Sequence, residues 1–340
     1  MKKAILGLDV GYGNVKTVWG SECNETSEII FRSVAKRTMH QTDGFGSGGE
    51  DMNRVGIDVA GFRYLVGPDA SQSGAVSTTD ADYVNRPEHL ALVRGAIYYM
   101  LKAKGIIENI DMMVVGLPVS NFATKKADLI KICQGSHLIP TPPTLKAEHG
   151  QMVSIHVSKV LCVPQPLGGL RMQAQLDARA GANMNQKTLI IDAGYLTFDW
   201  LFAEGMRADI ERSGSLNGGV SSLLSELSRQ VSLKLGVAAI DLVELEQALK
   251  TGTLVIGGKN QEFIGYNKWM DAIAADVIDR FVTAANLTSR FDRILLVGGG
   301  AKYFSSALRR RFPNHAIDID GESVMSNARG FYLIGNGMTA

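Results

Sequence analysis

Cysteine is scarce in this chain. Cys23, Cys133 and Cys162 are the only three in 340 residues. They are odd in number and lack Cys-x-x-Cys spacing, which argues against a disulfide framework and gives a zinc site no support. They read as reduced thiols in or near cores. No sign of charge prevails: 35 Lys and Arg stand against 34 Asp and Glu, a net charge of +1. That leaves no electrostatic footprint for strong direct binding to nucleic acid. Long apolar runs are missing too, and nothing approaches the roughly 18 residues of a membrane span. Lys2 and Lys3 before "AILGLDV" imitate a secretory leader, but Asp9 interrupts the short run, so the chain reads as cytoplasmic and free of membrane partners. His40, His89, His137, His149, His156 and His315 show no ligand spacing and read as satisfied surface or core histidines.

What is present is the composition of a globular protein, with 45% hydrophobic and 20% charged residues. The length exceeds one ordinary core and suits two domains. Short strand-like runs open the chain: "KAILGLDV", "VKTVWG", "EIIFRSVA", and a hairpin-like "RVGIDVAGFRYLVG" turning at Ala60-Gly61. "TDGFGSGGEDMN" between them reads as a flexible loop, since no strand-turn-helix context surrounds it. From Pro87 the period becomes helical through Leu90, Val93, Ile97, Met100 and Leu101, closing at Gly105, which predicts one amphipathic helix. "DMMVVGLP" then reads as a buried strand, "FATKKADLIKIC" as a helix and "QMVSIHVSKVLCV" as one strand.

A second series begins at "KTLIIDAG" and continues through "TFDWLFA", "MRADIERSG" and the helical "VSSLLSELSRQVSLKLG". A helix around Met270, Ile273, Val277, Ile278 and Phe281, the strand "RILLVGGG" and helical segments near "AKYFSSALRRRF" and "SVMSNARGFYLIG" complete it. Two alternating series predict two α/β domains with mixed sheets. We place the first at 1–185, with a small subdomain near 36–80, and the second at 186–340, with a small subdomain near 216–265 and a terminal helix packing back toward the first.

The two series share a phrase. "LDVGYGNVKTVW" and "IDAGYLTFDWLF" each write Asp-x-Gly-Tyr at the end of an apolar run, before a Thr-containing strand. A Gly-rich turn can point successive backbone N–H groups into one concavity and let phosphate oxygens approach closely. An aspartate at the strand end can hold the water shell of Mg²⁺. Asp9 and Asp192 fit that role as a pair, with Lys16 or the Thr197 hydroxyl reaching terminal phosphates. Each turn alone is also what Asp and Gly do in any loop; the duplication is what points to a ligand. "VPQPLGGL" lies between a strand and a helix, and "LLVGGGAKY" sets Gly298, Gly299 and Gly300 where a base or ribose could lie against backbone. A tight strand-to-helix turn would explain those three glycines equally well.

Five segments in this order resemble the five signatures of the actin, sugar kinase and heat-shock chaperone ATPase superfamily. "GLDVGYGNVK" and "IIDAGYLTFDW" are similar to its two phosphate loops, "VPQPLGGL" and the terminal helix to its two connecting segments, and "LLVGGGAKY" to its adenosine segment. "FRSVA", "GFRYLVGPDA" and "VVGLPVS" are similar to the ParM/StbA plasmid-segregation actins, and "FRSVAKR" with "RPEHLALVRGAIYYML" to protein D of the plasmid-linked PRTRC system within that group. The length agrees, since a chaperone would add a substrate domain and most sugar kinases are longer.

The resemblance implies the duplicated, two-domain, ribonuclease H-like α/β fold of actin, with ATP or ADP and Mg²⁺ between the domains. Asp9 and Asp192 would organise the hydrated metal. Amides of Gly11, Tyr12 and Gly13, and of Gly194, Tyr195 and Leu196, would cradle the phosphates. Lys16 stands where actins keep a phosphate-contacting lysine, Asn14 could bond the β-phosphate, and Gln165 stands where relatives orient the attacking water. Gly298, Gly299 and Gly300 would border the adenosine, with Asn217, Gly218 and Gly219 near the ribose. One departure narrows the second loop: Tyr195 and Leu196 replace the glycines of many relatives. Asp199 reads as part of a solvated strand rather than as an acid behind the metal.

The function expected is an ATPase that polymerises head to tail and meets DNA through an adaptor protein, the chain having no effector domain after the ATPase motifs. Two alternatives are a non-polymerising ATP-dependent switch in a plasmid-maintenance complex and a small-molecule kinase. The kinase would need a general-base aspartate, for which no carboxylate has a clear position.

Overall fold

A computed structural model describes residues 3–20, 26–38, 52–70, 82–179, 185–287 and 290–339. Cys23, His40, most of the Gly-rich loop at 42–53 and the last part of the small subdomain expected near 36–80 lie outside these residues. The chain forms two compact units, Met1–Gln175 with Met325–Ala340, and Leu176–Val324.

The first unit opens with a meander of β1 (Ile5–Val10), β2 (Asn14–Gly20) and β3 (Thr26–Arg32). Next come β4 (Lys36–Thr38), β5 (Val55–Val59) and β6 (Phe62–Val66), which make a separate sheet in the order β4-β6-β5. Ala60 and Gly61, at φ +50° and +81°, join β5 to β6 in the left-handed geometry that a two-residue hairpin favours. Helix α1 (Pro87–Lys104) starts at its proline and stops at Gly105, φ +88°. It is buried on most sides rather than along one stripe, because it packs against the main sheet on one side and against β5, β6 and a third small sheet on others.

That third sheet forms from β7 (Asn109–Ile110), β9 (Gly135–Pro140) and β10 (Met152–Val157). Between them run β8 (Met112–Leu117), α2 (Val119–Cys133) and the short α3 (Lys146–His149). β11 (Val160–Pro164) and α4 (Gln165–Arg179) follow. The single strand expected at 151–163 is therefore two. Ser158 donates its N–H to Ile110 while the Lys159 carbonyl accepts from Met113, so the chain leaves one sheet and enters another across two residues. The main sheet runs β11-β8-β1-β2-β3, with β1 parallel to β8 and antiparallel to β2.

The second unit repeats this order. It contains β12 (Lys187–Ala193), β13 (Thr197–Glu204), β14 (Arg207–Asn217), α5 (Val220–Leu235), α6 (Leu242–Thr251), and a hairpin of β15 (Thr253–Ile256) and β16 (Lys259–Glu262). Then come α7 (Asn267–Ala285), β17 (Arg293–Val297), α8 (Ala301–Arg311) and β18 (Ala316–Ile319). Its sheet reads β14-β13-β12-β17-β18, so β12 is the counterpart of β1 and β13 of β2. The terminal helix α9 (Ser326–Thr339) belongs to the first unit and lies on β1 and β8. Gly7 makes this possible: a β-carbon there would meet the Ala328 carbonyl and the Tyr332 nitrogen at 2.5 Å. Among the described residues no helix is long and apolar enough to cross a membrane.

Candidate functional site

β1 and β2 pair through Val10 and Val15, and the Gly11 N–H closes the turn between them on the Asn14 carbonyl at 3.1 Å. The end of β3 fixes the turn from outside. Ser33 donates its N–H to the Gly13 carbonyl at 3.1 Å and its hydroxyl to the Gly11 carbonyl at 2.5 Å. Tyr12 does not lie over the turn; its ring packs against Tyr83, with centroids 4.9 Å apart, at the edge of the first core. Asn14 begins β2 opposite Arg32.

Directly opposed residues of an antiparallel pair point to the same face. Asp9 opposes Lys16, whose Nζ sits 2.7 Å from Asp9 Oδ2. Gln165, the first residue of α4, donates its side-chain N–H to Asp9 Oδ1 at 2.8 Å. Asp9 is 1% exposed and Gln165 7% exposed, so each carboxylate oxygen has a donor where burial demands one. A carboxylate only accepts, so the NH₂ end of Gln165 must face Asp9 and its Oε1 must face away. The sequence thus meets in one place: Asp9, Lys16 and Gln165 around the first turn.

The second turn is built alike. Ala193 pairs with Phe198, and the Gly194 N–H closes on the Thr197 carbonyl at 3.0 Å. Its own carbonyls are taken by the start of α5: Val220 donates to Gly194, Ser221 to Tyr195, and Gly218 and Gly219 to Leu196. Gly219 comes so close that a β-carbon would lie 2.5 Å from the Tyr195 carbonyl. Asn217, Gly218 and Gly219 therefore stand beside this turn. In both turns the amide of the first glycine is spent on closing the turn. Tyr195, like Tyr12, packs on its unit's core, and Leu196 is half-buried.

The opposed pairs differ. Where Asp9 faces Lys16, Asp192 faces Asp199. Asp199 is 1% exposed and accepts from the Thr197 hydroxyl at 2.6 Å and from the Ser215 hydroxyl. The expectation of a solvated strand residue is overturned: β13 is a central strand, and this face of it is covered. Asp192 itself is 5% exposed.

The three glycines after β17 rest on this second turn. Gly300 donates its N–H to the Ala193 carbonyl at 2.8 Å and Gly298 donates to the Ser323 carbonyl at 3.1 Å. Gly298 has φ +90°, and a β-carbon there would collide with Asp192 Oδ1 and the Ala193 carbonyl. Gly299 is exposed. Immediately afterwards, Lys302, Tyr303 and Ser306 of α8 line a cavity of about 590 Å³ together with Lys250, Asn267 and Lys268. Among the described residues, the Tyr303 hydroxyl is buried without a hydrogen-bond partner.

The first half of the chain, residues 7–168, matches the family model of the actin-like proteins' N-terminal domain, and residues 190–310 match that of the archaeal actin homologue MreB-like C-terminal domain. The chain has an actin-like fold. No curated protein sequence matches it significantly. An archaeal actin homologue, Ta0583, solved in complex with ADP, is 20% identical with a TM-score of 0.74, over 99% of this chain and 100% of that one. The psk41 ParM protein in its apo form is 21% identical with a TM-score of 0.68, over 100% and 98%. The ParM of a 15-stranded filament from Clostridium botulinum is 18% identical with a TM-score of 0.73, over 99% and 100%. The chain thus has the duplicated two-domain α/β fold expected from its sequence.

Sequence reasoning missed several residues that hold the turns. Ser33, inside "FRSVA", closes the first turn, and Ser215 and Asp199 brace the second. The hydroxyls carry no periodic signal; only their place beside a turn could have marked them. His89 is a further correction. It is buried, with neither ring nitrogen hydrogen-bonded among the described residues, and burial lowers its pKa to about 4, so it is neutral at pH 7. His137 is half satisfied, its Nε2 lying 2.8 Å from the Cys133 carbonyl. Cys133 and Cys162 are buried free thiols, and burial pushes the pKa of each up to about 12.

Proposed function

We propose that this chain is a Mg²⁺-dependent ATPase of the ParM/StbA type, that it assembles head to tail into filaments in the cytoplasm, and that an adaptor protein connects it to DNA. The observation that carries the reading is the repeated turn: in each unit a buried aspartate is next to last in the equivalent strand, two residues before the glycine whose amide closes the turn. Lys16 adds a cation at the first turn. The amides that follow Gly11 and Gly194 are suited to phosphate oxygens.

Among the described residues no cluster of three or more His, Cys, Asp or Glu stands ready for a metal, so a cation would rely on a few carboxylates and on nucleotide oxygens, as Mg²⁺ does. Mg²⁺ would be held through Asp192 and Asp9 and would neutralise phosphate charge. The chain's own part in hydrolysis centres on Gln165. Anchored by its NH₂ on Asp9, it would present Oε1 as the acceptor of a hydrogen bond from water and so hold that water toward the terminal phosphorus. Water oxygen bonds to phosphorus as the bond to the bridging oxygen breaks; one proton of the water stays on the phosphate formed, the other passes to solvent, and ADP and phosphate leave. The cavity after Gly298–Gly300, with Asn267, Ser306 and its lysines, would take the base and ribose.

Filament growth follows from a heterologous contact that does not close. The relative solved as a 15-stranded filament supports that part of the reading. Sedimentation with ATP, with ADP and without nucleotide tests it. We expect pelleting with ATP above a threshold concentration, and less with ADP. Phosphate release with no pellet in any state would replace the filament with the switch; neither release nor pellet would remove the proposal.

A further inference from the structure

The terminal helix reaches the candidate water-orienting residue from behind. Gly116, on β8, has no room for a β-carbon, because the Phe331 ring and Gln165 Cγ both lie over it. The methylenes of Gln165 therefore rest in a slot floored by Gly116 and bordered by Phe331, while its amide reaches Asp9. One turn along α4, Gly168 packs on the backbone of Asn327 and on the same phenylalanine ring, and Gly330 packs on the backbone of Gly168. The Asn327 side-chain oxygen accepts the buried N–H of Gly169 at 3.1 Å. Gly168 and Gly330 thus bring two helices to backbone contact at the turn that carries Gln165.

We infer that Asn327 and Phe331 of α9 are positioning residues for hydrolysis, acting through Gln165; the inference rests on the ATPase reading above. A side chain that must hold a water in line tolerates little displacement, since an error of about 1 Å can cost on the order of 10²-fold in rate. Among the described residues the tip of Gln165 has one hydrogen-bonded anchor, to Asp9, so its orientation depends on where the start of α4 sits. Asn327 fixes that start by a hydrogen bond, and Phe331 fills the space into which the Gln165 methylenes would otherwise swing. Both residues sit on α9, outside the two glycine turns. Their effect belongs in the rate of the chemical step and not in nucleotide affinity.

The test is a double-mutant cycle on the full chain. Asn327→Ala and Phe331→Leu are each measured alone and in the Gln165→Ala background, for kcat and KM of phosphate release. We expect each single substitution to lower kcat about 3- to 30-fold with KM within about twofold, and to lower it no further once Gln165 is alanine. A helix that merely stabilised the unit would lower activity in both backgrounds. The Gln165 side-chain amide resonance, identified by its loss in Gln165→Ala, supplies a readout without turnover and should shift or broaden in Asn327→Ala. Slow Gln165→Ala with normal Asn327→Ala and Phe331→Leu would overturn the inference and leave the ATPase reading intact. Normal turnover in Gln165→Ala would overturn the inference and take Gln165 out of the chemistry, whereas no phosphate release from the unsubstituted chain would overturn the ATPase reading. If Phe331→Leu fails to fold, the cycle with Asn327→Ala and its amide resonance still decides.

Discussion

Replacing Gln165 by alanine removes the donor 2.8 Å from Asp9 Oδ1 and, with it, the side-chain oxygen that faces away from that carboxylate. A hydrogen bond to a charged partner contributes about 1.5–3 kcal/mol. Used wholly to position a nucleophile, that corresponds to roughly 10- to 150-fold in rate. The buried Asp9 keeps Lys16, so the cost to folding should stay at about 1–3 kcal/mol. Binding should barely change, because neither turn loses an amide. Phosphate release and sedimentation, followed on one sample with ATP, should show slow release and longer-lived polymer.

Gln165→Glu separates orientation from size. It sets a second carboxyl beside Asp9, and the two repel, so the new carboxyl has a folded-state pKa above its usual value of about 4.3. A raised acid stabilises the fold only while protonated. Relative to the wild type, this variant should be most stable below about pH 4 and lose stability as pH rises through the raised pKa. Wild-type phosphate release by Gln165→Ala, with intact nucleotide affinity, would refute the reasoning and leave Gln165 as a helix-start residue.

Asp192→Ala should weaken Mg-nucleotide affinity without unfolding the chain, and calorimetry with unchanged affinity beside unchanged phosphate release would remove Asp192 from the site. Gly298→Ala forces a β-carbon onto Asp192 Oδ1 at φ +90°; we expect a loss of about 1–3 kcal/mol with weaker nucleotide binding, read by thermal melting with and without ATP. His89 is neutral and buried with a pKa lowered to about 4. Its contribution is fully present above about pH 6.5 and is lost as pH falls toward 4, on the order of 3 kcal/mol in all. Urea unfolding of His89→Leu should lack that part of the wild-type decline between pH 6.5 and 4, and identical slopes would refute it.

The architecture was legible in the sequence because it is written in short-range signals. Alternating apolar runs, Pro87 and Gly105 around one helix, and the two Asp-x-Gly-Tyr turns are local matters of steric freedom and period. Both turns close as their glycines require, Gly11 on Asn14 and Gly194 on Thr197. The "VPQPLGGL" segment likewise marks the strand-to-helix junction that bears Gln165.

Tertiary structure alone decided which polar groups are buried and what they meet. Nothing near Asp199 in the chain says that Ser215 will cover it, and its neighbours Phe198 and Trp200 are what any half-buried strand carries. Nor could local pattern tell that Gln165 would donate to Asp9, 156 residues earlier, or that Asn327 would accept from Gly169, 158 residues before it. The division of 151–163 into two strands was hidden for the same reason, since it depends on Ile110 and Met113 as partners. Propensity and periodicity act over a few residues. The free energy of a buried charge or amide is set by whichever distant segment supplies its partner, and that exists only once the chain has folded.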